Sequence, residues 1–153
     1  MSILWLPLVA AIAAAVIDLR SREIPDSLSV GSGVAGLLAA VAGFLDQSGW
    51  TSFLSILVVF VVSVIAAWRG GFGGGDVKLL AGLAAWLSLP SALAMLFWTA
   101  IAGAALSIAA AARGKDDLAY GPAIAMGFGT AALLPSALPQ LVVWMRQLLG
   151  LTS

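Results

Sequence analysis

Long apolar runs, each closed by a short polar or glycine-rich break, recur six times along the chain. The first covers about Ser2 to Ile17 and leads straight into Asp18. It has no basic segment before it, and its arginines, Arg20 and Arg22, come after it, so it reads as a membrane helix with its N terminus outside, not as a cleavable signal. Pro25 blocks helical continuation through Ile24 and can open a second helix, followed by the apolar run Leu28 to Leu45. Asp46-Gln47-Ser48-Gly49 separates it from a third run, Trp50 to Trp68. Next comes Gly70-Gly71-Phe72-Gly73-Gly74-Gly75-Asp76, a stretch that a lipid-facing backbone cannot tolerate and that has to be sheltered by protein or line a wet cavity. A fourth segment, Val77 to Leu89, reaches Pro90 after only ~20 Å of a ~30 Å hydrocarbon core. Either it continues past Pro90 with a kink, or Asp76 starts below the membrane surface. The fifth run is Ser91 to Ala112, and the last, about Pro122 to Met145, carries Gly127, Gly129, Pro135 and Pro139 and is expected to bend.

Composition narrows the class. Of 153 residues, 62% are hydrophobic and 9% charged, too little polar surface to coat a water-soluble globule of this size. Runs approaching the roughly 17–25 residues that cross a bilayer, with no ~10-residue alternating segments, predict an all-α polytopic membrane protein of six transmembrane helices in one domain, residues 1–153. Six of the seven basic residues, Arg20, Arg22, Arg69, Lys78, Arg113 and Lys115, fall in the odd-numbered connections, and only Arg146 falls opposite. The positive-inside rule then places both termini in the periplasm and the odd connections in the cytoplasm. No cysteine and no histidine are present, which excludes disulfides, thiolate zinc sites and the commonest general base. A net charge of zero argues against a nucleic-acid partner. Carboxylates are the acid–base candidates that remain, with no metal or organic cofactor implied.

Two of them stand out. Asp18 and Asp76 both lie where hydrophobic segments meet the predicted cytoplasmic face, and carboxylates at membrane helix ends are costly. Bland readings exist for each: Asp18 as a helix-end carboxylate paired with Arg22 one turn later, Asp76 as an N-cap before Val77. A capping carboxylate can also be catalytic. Helix dipoles would separate the pair, with Asp76 at a helix start acting as the base and Asp18 at a helix end as the protonated partner.

Three blocks in order, Asp18 to Leu28, Gly71 to Ala81 (Gly-Phe-Gly-Gly-Gly-Asp-Val-Lys-Leu-Leu-Ala) and Tyr120 to Gly127 (Tyr-Gly-Pro-Ala-Ile-Ala-Met-Gly), resemble the type IV prepilin peptidases, Gly-x-Gly-Asp intramembrane aspartyl proteases. The short form of tight-adherence (Flp) pilus systems is most similar. Asp26 stands where the family usually has asparagine, and Ala119 where a proline commonly precedes the tyrosine. The cysteine-rich domain of longer relatives has no counterpart, so the resemblance extends to peptidase activity and leaves their N-methyltransferase activity aside.

The resemblance implies an aspartyl endopeptidase of the bacterial inner membrane that removes the short basic leader of a prepilin on the cytoplasmic side, with Asp18 and Asp76 catalytic. Gly73, Gly74 and Gly75 would give the substrate backbone room to approach. Lys78 is counted among the substrate-facing residues as an interfacial anchor or phosphate partner. Asp116 and Asp117, together with Glu23 and Asp26, would attract the leader's positive charge. The Tyr120-Gly121-Pro122 corner reads as a tight entry into the last helix. The alternative reading is a proton- or cation-conducting protein using Asp18 and Asp76 as relay groups.

Overall fold

A computed structural model describes residues 2–70, 73–114, 119–134, 139–140 and 143. Among these there is no strand. After a short 3-10 turn, Ser2–Leu4, the described residues include the helices α1 (Trp5–Ser21), α2 (Asp26–Val41), α3 (Gly49–Trp68), α4 (Gly74–Ala84), α5 (Leu89–Ala111) and α6 (Gly121–Leu133), and residues 139–140 and 143 are helical as well. By length and composition α3 and α5 can cross a membrane, and α2 and α6 are shorter apolar helices.

Polarity runs opposite to that of a water-soluble bundle. The buried face of α3 is Ser52, Ser55, Val59 and Ser63, while Trp50, Phe53, Leu57, Phe60, Val61, Val62, Ile65 and Trp68 point outward. Small and weakly polar residues pack inside, and bulky apolar ones face the surroundings, as close helix packing within lipid favours.

The shortest helix occupies the centre. In α4, Val77, Leu79, Leu80, Ala81, Leu83 and Ala84 are all buried, and the helix packs mainly against α2 and α3, with α1, α5 and α6 touching it more lightly. Glycines let α2 and α4 approach backbone to backbone. A Cβ on Gly33 would lie 3.3 Å from the Gly82 Cα, and one on Gly36 would lie 2.8 Å from both the Ala85 Cβ and the Trp86 Nε1. Trp86 turns its indole onto α2, donating from Nε1 to the Ser32 carbonyl at 3.0 Å and reaching the Ser32 hydroxyl at 3.2 Å.

Two expectations change here. The fourth helix ends at Ala84 and does not run to Leu89, because Pro90, which lacks an N–H, opens α5 in its first turn after a break at 85–88. Its 11 residues span only ~16 Å. The sixth helix passes through Gly127 and Gly129 without a break and ends at Leu133; Leu134 adopts φ −125°, ψ 62°, as the residue before a proline avoids the helical region. Pro135, and with it the expected bend there, lies outside the described residues.

Candidate active site

Four helix ends meet at one end of the bundle. The C terminus of α1 and the N termini of α2 and α4 enclose a cavity of about 630 Å³ lined by Ile17, Asp18, residues 21–26, Gly73, Gly74, Gly75 and Asp76. The N terminus of α6 joins them through a hydrogen bond to Asp18. A second, smaller cavity at the opposite end is lined chiefly by apolar residues, with Asp46 its one carboxylate among the described residues.

Asp18 sits in the last turn of α1 and is 7% exposed. Two contacts fix it. Its backbone carbonyl accepts the Arg22 N–H at 3.0 Å, closing the helix through Arg22 in the left-handed region (φ 60°), a conformation that turns the chain sharply back toward Ile24 and Pro25. The Oδ2 atom accepts the Gly121 N–H at 2.7 Å from the far end of the sequence.

Asp76 lies in the first turn of α4, 9% exposed. It is not the N-cap. Gly73 holds that position, and the Asp76 Oδ2 reaches back to accept the Gly73 N–H at 2.9 Å. Each carboxylate therefore has its Oδ2 tied to a glycine amide at a helix N terminus. Asp76 lies at a helix start and Asp18 at a helix end, as the dipole argument requires, but the start of α6 also meets Asp18 and opposes the end of α1 there.

The glycine loop divides into distinct roles. A Cβ on Gly74 would meet nothing within 4 Å, whereas one on Gly75 would touch the Ile24 side chain at 3.4 Å. Lys78 lies one turn on and does not line the cavity; its ammonium holds both oxygens of Asp26, a lining residue, at 2.8 Å. Glu23 and Asp26 are at the cavity, and Asp116 and Asp117 lie outside the described residues. Among the described residues no group of three or more carboxylates is placed to hold a metal ion. The residue that sequence reasoning passed over is Gly121. Its only signal was the Tyr-Gly-Pro spacing, and nothing local to that block indicates a partner 103 positions away.

The model of the type IV leader peptidase family matches residues 5–108. A prepilin leader peptidase/N-methyltransferase of Burkholderia pseudomallei is 33% identical over 143 residues, covering 81% of this chain and 43% of the relative. A type 4 prepilin-like proteins leader peptide-processing enzyme of Escherichia coli is 31% identical over 137 residues, 83% of this chain and 49% of that protein. A preflagellin peptidase of Methanococcus maripaludis is 35% identical over 77 residues, 48% of this chain and 34% of its own length. The chain thus spans half or less of these relatives. No solved structure matches it significantly.

Proposed function

The chain belongs to the type IV leader peptidase family, and on that premise we propose that it is an intramembrane aspartyl endopeptidase that removes the basic leader of a type IV, Flp-like prepilin. The observation that carries this reading is the meeting of Asp18 and Asp76, from separate helices, in the lining of one cavity together with Gly73, Gly74 and Gly75.

In this mechanism a water lies between the two carboxylates. The ionised carboxylate takes a proton from it, the water oxygen attacks the scissile carbonyl carbon, and the protonated carboxyl donates to the carbonyl oxygen. The tetrahedral intermediate then collapses as the C–N bond breaks and a proton passes to the leaving amine. Gly73, Gly74 and Gly75 accommodate an extended substrate backbone, since side chains there would obstruct it. Glu23 and Asp26 face the leader's cations, the charges of Asp116 and Asp117 add to the attraction, and Lys78 sets the charge of the rim through Asp26.

The apolar outward faces support placement in the bacterial inner membrane, with six spans in a single domain, termini in the periplasm and the cavity at the cytoplasmic face. A proton or cation relay fits less well, because such acids belong at mid-bundle and these lie at its end.

Purified protein in liposomes, incubated with a leader-bearing prepilin, should yield a mature product beginning after the leader's last glycine by mass spectrometry. An intact prepilin after prolonged incubation, with the enzyme folded, would end the peptidase reading.

A further inference from the structure

The Tyr120-Gly121-Pro122 corner lies beyond the matched span 5–108, yet it touches one of the two acids. The first N–H groups of a helix have no intrahelical partner; in α6 the first i→i−4 bond is Ile124 N–H to the Tyr120 carbonyl, and Pro122 has no N–H, so Gly121 and Ala123 are left with amides to direct outward. The Gly121 amide goes to the Asp18 Oδ2, at 2.7 Å and buried.

Only a glycine permits this approach. A Cβ on Gly121 would stand 2.9 Å from the Ala15 Cα, 2.9 Å from the Asp18 Cβ and 3.0 Å from the Asp18 Oδ2. Two of these are atoms of the α1 backbone or its immediate stem, so nothing flexible can yield. The corner is held from its other side as well. A Cβ on Gly103, in α5, would lie 2.6 Å from the Tyr120 Cε1, which means that the Tyr120 ring rests directly on the α5 backbone. Helix α5 presses on Tyr120, and Gly121 beside it presses on α1.

Resting on the peptidase reading, we infer that Gly121 is a positioning residue for cleavage: its amide fixes one oxygen of Asp18 so that the other faces the water and the scissile carbonyl. This assigns to the third sequence block the role that Gly73 plays for Asp76. The two anchors differ in kind. Gly73 belongs to the same turn as its acid, whereas Gly121 makes the geometry of Asp18 depend on how α6 docks.

A displaced carboxylate should cost turnover and not binding, because a misplacement of ~1 Å at the reacting atoms can cost ~100-fold. For Gly121→Ala the expected result is a kcat reduced about 10- to 100-fold with KM within about 2-fold. The hydrogen bond is read separately. The chain has one tyrosine, so protein labelled with carbonyl-13C tyrosine and 15N glycine gives a single Tyr–Gly signal, that of the Gly121 amide. In nanodiscs this amide proton should shift as pH is swept through the carboxylate range, and the shift should vanish in Asp18→Asn.

An amide that does not respond to pH, or that responds equally in Asp18→Asn, overturns the inference even if Gly121→Ala fails to accumulate. A folded Gly121→Ala with wild-type kcat also overturns it. Failure of the wild-type protein to cleave any prepilin removes the peptidase reading and the catalytic half of this inference, while the amide titration still decides the contact.

Discussion

Lys78 and Asp26 form a bidentate ion pair between α4 and α2, with the ammonium 2.8 Å from each carboxylate oxygen. It sits at the rim of the cavity, and the side chains are 47% and 67% exposed. At that exposure solvent screens most of the Coulomb attraction, so its worth lies in the charge it presents. A double-mutant cycle on Lys78→Met and Asp26→Asn should give a coupling of at most ~1 kcal/mol. For a basic leader, Lys78→Met bares Asp26 and should lower KM, and Asp26→Asn bares Lys78 and should raise it. Both changes should fade as salt is raised. Changes of the same sign in the two variants would remove the electrostatic role.

Substituting either acid should end catalysis without unfolding the protein. Asp18→Asn and Asp76→Asn each keep an oxygen that can accept the glycine N–H, so helix content and thermal midpoint should stay near wild type. The amide is no base, and cleavage should fall below detection. A well-expressed variant that processes prepilin at a near wild-type rate would rule out the two-aspartate mechanism.

The apolar periodicity showed six helices and placed Asp18 and Asp76 at helix ends, because helix existence depends on local sequence. It left open whether the fourth helix runs on past Pro90 with a kink; the helix instead ends at Ala84, and in the break that follows Trp86 turns its indole onto Ser32, a contact across 54 positions. It also gave no sign that α4 is surrounded by the other helices, because nothing in an apolar run says what packs around it. The link from Gly121 to Asp18 was invisible for the same reason: a backbone amide has no side-chain signature. Where the candidate site is made of side chains, the motif spacing pointed to it; where it is made by backbone approach, only the assembled bundle shows it.

Glycines of similar appearance should behave differently. A Cβ on Gly82 would fall inside contact distance of the Ser29 carbonyl oxygen, a backbone atom between packed helices. Gly82→Ala should therefore destabilise by ~1–3 kcal/mol, seen as a lower thermal midpoint. Gly74→Ala meets no atom within 4 Å and should leave stability unchanged or slightly raised. Since Gly74 lines the cavity, its methyl should raise KM several-fold; an unchanged KM would remove Gly74 from the substrate-facing set.

Orientation can be read by labelling. Ser21 and Gly114 are exposed at the end of the bundle that carries the cavity. Cysteines introduced there should react with impermeant reagent from the cytoplasmic side, and tags at residues 1 and 153 should be accessible from the periplasm. The basis is the charge asymmetry of the connections. Cytoplasmic exposure of either terminus would overturn the six-span arrangement.

The last prediction concerns protons. Asp18 and Asp76 line the same cavity, and hydrolysis by a carboxylate pair needs one of them ionised and the other protonated. With both protonated there is no base for water; with both ionised there is no donor for the carbonyl oxygen. Turnover should therefore pass through a maximum in pH, with two limbs whose apparent pKa values belong to the pair and to neither residue alone. The pH dependence of kcat, measured on a prepilin whose own leader charge does not change over the range, checks this directly. A profile that rises to a plateau would mean that one carboxylate works alone, and the shared-proton mechanism would have to be given up.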